Sequence, residues 1–164
     1  SALLYSNVEV KPANTPDNTE LAVAEIVEDG TKVTYYTSWE SVLDYLPGAG
    51  TVNSASVEIV LLKDITGASA TKTVTLNKAD EYILRSQEGS RFRITGDGGA
   101  LLKLDCTETF ILDNITLEEG FIEANRLPFQ LRLPVWHQCF YRPLHPAPPA
   151  NSLCRKPEYR ICHY

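Results

Sequence analysis

From Val57 to Leu117 the chain is cut into short β-prone runs: Val57 to Lys63, Thr73 to Leu76, Tyr82 to Arg85, Phe92 to Thr95, Ala100 to Leu104 and Phe110 to Leu117. Between them fall Gly67, Asn77, Glu88-Gly89, Gly96-Asp97-Gly98-Gly99 and Asp113-Asn114. Turn signals at that density exclude a helical period and leave no room for the long hairpins of a sandwich. Short strands joined by polar corners predict a chain wound as a coil, in which each turn buries its inner face only by stacking on the next. Tyr82 to Ser86 and Ala100 to Leu104 lie eighteen positions apart and share a pattern, which suggests a loose repeat. The side chains expected inside are Ile83, Ile94, Leu102, Leu104, Ile111, Ile115 and Leu117.

Ahead of these runs the chain reads differently. Residues 1–20 form an extended N-terminus, because Lys11-Pro12-Ala13-Asn14-Thr15-Pro16-Asp17-Asn18 is polar and its prolines fix φ and remove donors. Leu21 to Val27 and Lys32 to Thr37 are β-prone and bracket Glu28-Asp29-Gly30, where Asp-Gly supplies the positive φ of a tight hairpin turn. A helix is expected next. Thr37 and Glu40 stand in the T-x-x-E relation of a capping box, Trp39, Val42, Leu43 and Leu46 form one apolar stripe, and Pro47-Gly48 ends it. A helix this short is marginal alone, so its stripe must cover another part of the protein, as a lid does. The hairpin and helix fill 21–56, and the coils fill 57–120.

At Gly120 the composition changes. Residues 1–120 carry 9 Lys and Arg against 19 Asp and Glu, whereas residues 121–164 carry 6 against 2. All nine Gly and all fourteen Thr lie at or before Gly120, and the segment beyond holds seven of ten Pro, three of four Cys and all three His. The net charge of −6 argues against nucleic acid held by phosphate neutralisation. No apolar run approaches the roughly 18 residues of a membrane span.

In segment 121–164 the prolines at 128, 134, 143, 146, 148, 149 and 157 interrupt any long regular element. His137, Cys139, Cys154, Cys162 and His163 have the chemistry of zinc ligands but none of the usual C-x2-C or H-x3-H spacing. The expectation is an irregular tail: either a disordered basic extension or an out-of-phase translation. In the second case, Gly and Thr codons read one base displaced become Arg and Pro codons. Ser1 in place of an initiator Met points to a processed product or a fragment. Cys106 stands alone in the main segment and reads as a small buried apolar residue.

The succession YYTSWESVLDYL, VEIVLLKDIT, VTL, YILRS, FRITGDGG, ALLKLD and TFILDNITLEEG resembles the start of right-handed parallel β-helix domains, pectin-lyase-like in fold, in bacterial surface proteins. The resemblance runs from about Ala24 to Gly120. It sets Thr37 to Leu46 on a capping helix, Leu61-Leu62-Lys63-Asp64-Ile65 on the first rung and Phe110 to Gly120 on a later one. Asn114 then falls where such folds place a corner Asn that adopts αL and hydrogen-bonds along the stack. Further glycine-punctuated coils do not follow Gly120. The fold class implied is mainly β: a short right-handed parallel β-helix with an N-terminal hairpin, a capping helix and an irregular C-terminal tail.

The resemblance also suggests lyase chemistry, with acids binding Ca2+ and a base abstracting a sugar proton. Asp64, Asp80, Asp97, Asp105 and Asp113 are available, with Arg85, Arg91 and Arg93 as bases or carboxylate clamps. None forms a D-x-D-x-D loop, and most stand beside turns where Asp is common. No histidine precedes residue 121 to activate Cys106 or a serine. Gly96-Asp97-Gly98-Gly99 lacks Walker spacing and reads as a turn. Tyr35, Tyr36, Trp39, Tyr45 and Tyr82 could stack on sugars, although Trp39 belongs to the helix stripe. Asn114-Ile115-Thr116 matches a glycosylation sequon.

The leading expectation is a fragment of a bacterial extracellular or cell-surface β-helix protein, structural or adhesive and without catalysis. Its partners would be glycans or host and cell-surface components, with Tyr82, Arg91 and Arg93 as binding candidates and no metal or cofactor. Self-association is expected at the uncapped end after Gly120, where strand amides lack partners. The alternative is a fragment of a pectin-lyase-like carbohydrate-active enzyme, a polysaccharide lyase or glycoside hydrolase.

Overall fold

The computed structural model describes residues 19–51 and 54–124 and, beyond these, four short strands at 129–131, 136–137, 141–143 and 162–163. Strands β1 (Ala24–Glu28) and β2 (Lys32–Tyr36) form the expected antiparallel hairpin. At its tip Asp29 and Gly30 take φ of 54° and 74°, and Thr31 N donates to Glu28 O at 3.2 Å. Helix α1 (Trp39–Tyr45) follows and is prolonged by a 3-10 turn, Leu46–Gly48. Its N-cap is Ser38, not Thr37: Ser38 has extended backbone, and its Oγ accepts from Ser41 N at 3.1 Å. A serine one residue closer to the first turn satisfies the orphan amide as well as threonine would, so the T-x-x-E box is not used.

Twelve strands then wind through three sheets in rotation. The first coil is β3 (Ser54–Leu61), β4 (Ile65–Ala68) and β5 (Val74–Leu76). The second is β6 (Ala79–Ser86), β7 (Arg93–Gly96) and β8 (Ala100–Cys106). The third is β9 (Thr109–Asp113), β10 (Thr116–Glu118) and β11 (Phe121–Ala124). Beyond them β12 (Phe129–Leu131), β13 (Trp136–His137) and β14 (Tyr141–Pro143) add one parallel strand to each sheet. The first sheet is ordered β12-β9-β6-β3-β1-β2 and the third β14-β11-β8-β5. The second is ordered β15-β13-β10-β7-β4, where β15 (Cys162–His163) lies antiparallel to β13. This is a short parallel β-helix with an N-terminal hairpin.

Alternation along each strand sends every second residue inward, and parallel register stacks those residues in columns. Val57, Tyr82 and Phe110 form one column, and Ile59, Leu84 and Leu112 the next. Ile65, Ile94 and Leu117 line the second sheet, and Val74 stacks on Leu104 in the third. Cys106, under Leu76, is fully buried as a small apolar residue. The first coil is closed on all three sides. The hairpin pairs with β3, α1 lies against β1, β2 and β4, and the 3-10 turn lies against β5. Trp39, Val42, Leu43 and Leu46 all join the interior cluster, so the helix is the lid that its stripe requires.

Several expectations need correcting. The eighteen-residue repeat compares a first-sheet strand with a third-sheet strand. True stacking partners are twenty-five apart from Val57 to Tyr82, twenty-eight from Tyr82 to Phe110 and nineteen from Phe110 to Phe129. Gly67 is not a corner; with φ of 65° it makes an irregularity inside β4 where the register against β7 shifts. The run Phe110 to Leu117 is two strands in different sheets, split at Asn114, whose φ is 54°. Ile83 and Ile111 are buried but do not join the interior cluster: alternation from Tyr82 and Phe110 puts them on the outward face of the first sheet. The other five residues expected inside are there.

Of the tail, residues 125–128, 132–135, 138–140, 144–161 and 164 lie outside the described residues. Those within continue the stack without a single glycine, Phe129 and Leu131 standing in register with Phe110 and Leu112.

Candidate functional site

Three coils meet at the corner between the first and second sheets, and the two candidate arginines stand there. Ser86 ends β6 facing inward, where a polar side chain needs partners. Its Oγ donates to Asn114 O at 2.7 Å and accepts from Phe92 N at 2.9 Å. Asn114, in the left-handed region as a corner Asn should be, donates from Nδ2 to Ser90 O at 2.8 Å and accepts at Oδ1 from Arg91 Nε at 2.9 Å. The asparagine thus ties the third coil to the second. Its amide is also the nitrogen that the Asn114-Ile115-Thr116 sequon would glycosylate, and that nitrogen is committed to Ser90.

Arg93 extends the corner along the second sheet. Its backbone N donates to Asp64 Oδ1 at 2.9 Å, linking it to the first coil, and its guanidinium meets Glu118 Oε1 at 3.2 Å on the third. Both partners of that ion pair are substantially exposed, so it contributes little to stability and leaves most guanidinium donors facing water. Arg91 and Arg93 therefore offer forked donors on one exposed corner of an otherwise acidic segment, the geometry that suits carboxylate or sulfate groups.

Tyr82 is not with them. It is 1% exposed, its ring lies in the interior column, and its hydroxyl accepts from Lys78 N at 2.8 Å and Ala79 N at 3.2 Å. The ring has no free face for a sugar. Burial pushes its phenol above the usual range, opposed by those two backbone amides. Tyr36 and Trp39 are likewise buried.

Of the five aspartates, Asp64 accepts the Arg93 amide and Asp97 accepts the Gly99 amide at 3.1 Å, as turn residues do. Asp80 is exposed and Asp113 lies on the outward face of the first sheet. No three His, Cys, Asp or Glu groups converge to hold a metal ion among the described residues.

A second cluster escaped the sequence reading. On the outward face of the first sheet, Glu25 pairs in register with Val60, Val60 with Arg85 and Arg85 with Asp113. Arg85 Nε meets Glu58 Oε1 at 3.1 Å, and Asp113 Oδ1 is buried with no hydrogen-bond partner among the described residues. Desolvation pushes the Glu25 carboxyl above its usual range, the nearby Arg85 opposing and Glu58 reinforcing it. Neighbours in this row stand 25 to 35 positions apart in sequence, and only the coil lengths, which no local signal announces, bring them together.

The hairpin tip holds a third polar group. Glu28 accepts from Tyr45 OH at 2.9 Å and from Gly50 N at 2.7 Å, and lies 3.7 Å from Lys32 Nζ. Asp29 accepts from Ala55 N, Ser54 Oγ and Ser56 N. Glu28 is spent on holding the hairpin to the helix and the turn after it, and Asp29 on fastening the hairpin to β3 of the first coil.

The architecture defines this protein as a short, capped, parallel β-helix. No family model, curated protein or solved structure matches the chain.

Proposed function

We propose that this chain is a structural or adhesive part of a bacterial extracellular or cell-surface β-helix protein, pectin-lyase-like in lineage, and that it binds acidic glycans at the corner bearing Arg91 and Arg93. The observation that carries this reading is that corner: two exposed guanidiniums two residues apart, positioned by Asn114 and by the Asp64 contact to the Arg93 backbone. Anionic sugars carry the carboxylate or sulfate that a guanidinium fork recognises. A stack that lengthens by whole coils also suits a stalk that holds a surface away from a cell.

The test is a glycan array probed with the full chain and with Arg91→Ala/Arg93→Ala. Binding to uronate or sulfated glycans that the double variant loses supports the reading. Binding that survives the substitution, or none to any acidic glycan, overturns it. The enzyme alternative draws on the cluster of Glu25, Glu58, Arg85 and Asp113; incubation of the chain with polyuronates, monitored for unsaturated or newly reducing ends, tests it.

A further inference from the structure

The outward face of the second sheet changes charge along its strands. Ile94 and Leu117 point inward, so alternation turns Arg93 and Thr95 of β7 and Thr116 and Glu118 of β10 outward, and register sets Thr116 beside Arg93 and Glu118 beside Thr95. Glu118 therefore stands one strand over from Arg93 and two residues, about 7 Å, further along, while Arg91 lies two residues behind. Just past the ends of the two strands, Asp97 and Glu119 are exposed. The order along the strand axis is two arginines, a half-buried floor of Thr95 and Thr116, then Glu118 with Asp97 and Glu119 beyond it. Asp64 is exposed at the basic end, but its Oδ1 is occupied by the Arg93 amide.

The two guanidiniums are not equivalent. Arg91 is held through Nε by the uncharged Asn114 side chain, which leaves Nη1 and Nη2 as a fork and its charge unanswered by any carboxylate among the described residues. Arg93 gives Nη1 to both oxygens of Glu118, at 3.2 and 3.4 Å, so its charge is already answered. We infer that Arg91 anchors the acid group of the ligand and that Glu118 sets the specificity, admitting a uronate followed by a neutral, hydroxyl-bearing sugar and turning away polysulfated chains. The inference rests on the reading of this corner as an acidic-glycan site. A sugar hydroxyl can donate to the Glu118 carboxylate, whereas a sulfate has no hydrogen to give and brings a like charge against Glu118, Asp97 and Glu119. Selection then comes from the repulsive group as much as from the attractive one.

Two labelled oligosaccharides of equal length test this by fluorescence anisotropy with the full chain at one ionic strength, since salt screens the two unequally. In one, glucuronate alternates with unsulfated N-acetylhexosamine; the other is a polysulfated heparin fragment. The parent is expected to favour the alternating chain. Glu118→Gln, whose exposed ion pair contributes little to folding, should shift the ratio of the two affinities toward heparin by about fivefold or more. Asp80→Asn, which makes the same change of net charge on the first sheet, should leave the ratio within about twofold of the parent. A parent that prefers heparin, a ratio that Glu118→Gln leaves in place, or an equal shift from Asp80→Asn would overturn the inference, while binding lost in Arg91→Ala/Arg93→Ala would leave the acidic-glycan reading standing. Absence of binding to either chain would overturn both.

Discussion

The indole of Trp39 donates its Nε1 hydrogen to the carbonyl oxygen of Leu101 at 2.8 Å, across 62 positions of sequence. The bond joins the cap helix to the second coil, one level beyond the coil it covers. A buried carbonyl that loses its donor keeps its desolvation cost, so Trp39→Phe is expected to destabilise the fold by about 1–3 kcal/mol. Trp39→Ala, which also empties the space, should cost about 3–5 kcal/mol. Urea unfolding followed by circular dichroism checks both; a Trp39→Phe variant as stable as the parent would show that the bond is not made.

Gly120 sits where the second sheet turns into the third and has no room for a side chain. A Cβ there would meet Leu101 Cγ at 2.7 Å and Gly99 O at 2.8 Å. Gly120→Ala should therefore destabilise by roughly 1–3 kcal/mol through overpacking. Gly48→Ala, where a Cβ meets nothing within 4 Å, should stay within about 0.5 kcal/mol of the parent. Thermal melts of the two variants side by side decide it.

Asp29 accepts backbone hydrogen bonds from Ala55 and Ser56 and one from the Ser54 hydroxyl, which hold its carboxyl below the ordinary value of 3.8. A carboxylate favoured in the folded state stabilises it above the unfolded pKa, and that contribution disappears as pH falls through the lower folded value. Asp29→Asn, which still tolerates the positive φ of the turn, should lose this part of the acid dependence. Melting temperature measured from neutral pH down to strongly acidic buffer should show a shallower fall for the variant.

Glu25 has the opposite sign. Burial raises its carboxyl above 4.5, so the folded state prefers it protonated. Its contribution is most favourable below the unfolded pKa and is lost as pH rises through the raised folded value. Glu25→Gln is expected to be more stable than the parent at neutral pH and to converge with it in mild acid. A stability loss at neutral pH would mean that attraction to Arg85 outweighs desolvation.

Local chemistry made some of this structure legible in advance. Asp29-Gly30 announces its turn because few residues accept positive φ, and Asn114 announces a corner for the same reason. The stripe from Trp39 to Leu46 marks a lid because a helix so short needs a surface to cover. What stayed hidden depends on coil length. Without knowing that Tyr82 stacks on Val57, alternation alone cannot say which of Tyr82 and Ile83 faces inward, since both are apolar. The same ignorance separates Glu25 and Glu58 from Arg85. Gly67 reads as a break because an irregular position inside a strand uses the residue type that a turn uses. Arg91 and Arg93 stand out in the sequence as possible carboxylate clamps, but their meeting with Asn114, Asp64 and Glu118 requires three coils to be stacked.

Successive coils consume twenty-five, twenty-eight and nineteen residues between partners in the first sheet, yet their strands remain aligned. The variation is shared between the bends, of which 87–92 is the longest among the described residues, and the strands, β8 having seven residues where β5 has three. Because each doubling of a flexible bend costs only about 0.6 kcal/mol in closure entropy, segments such as 87–92 are natural acceptors for foreign peptide. A scaffold of this kind could gain a new recognition loop at an edge while its interior columns are left untouched.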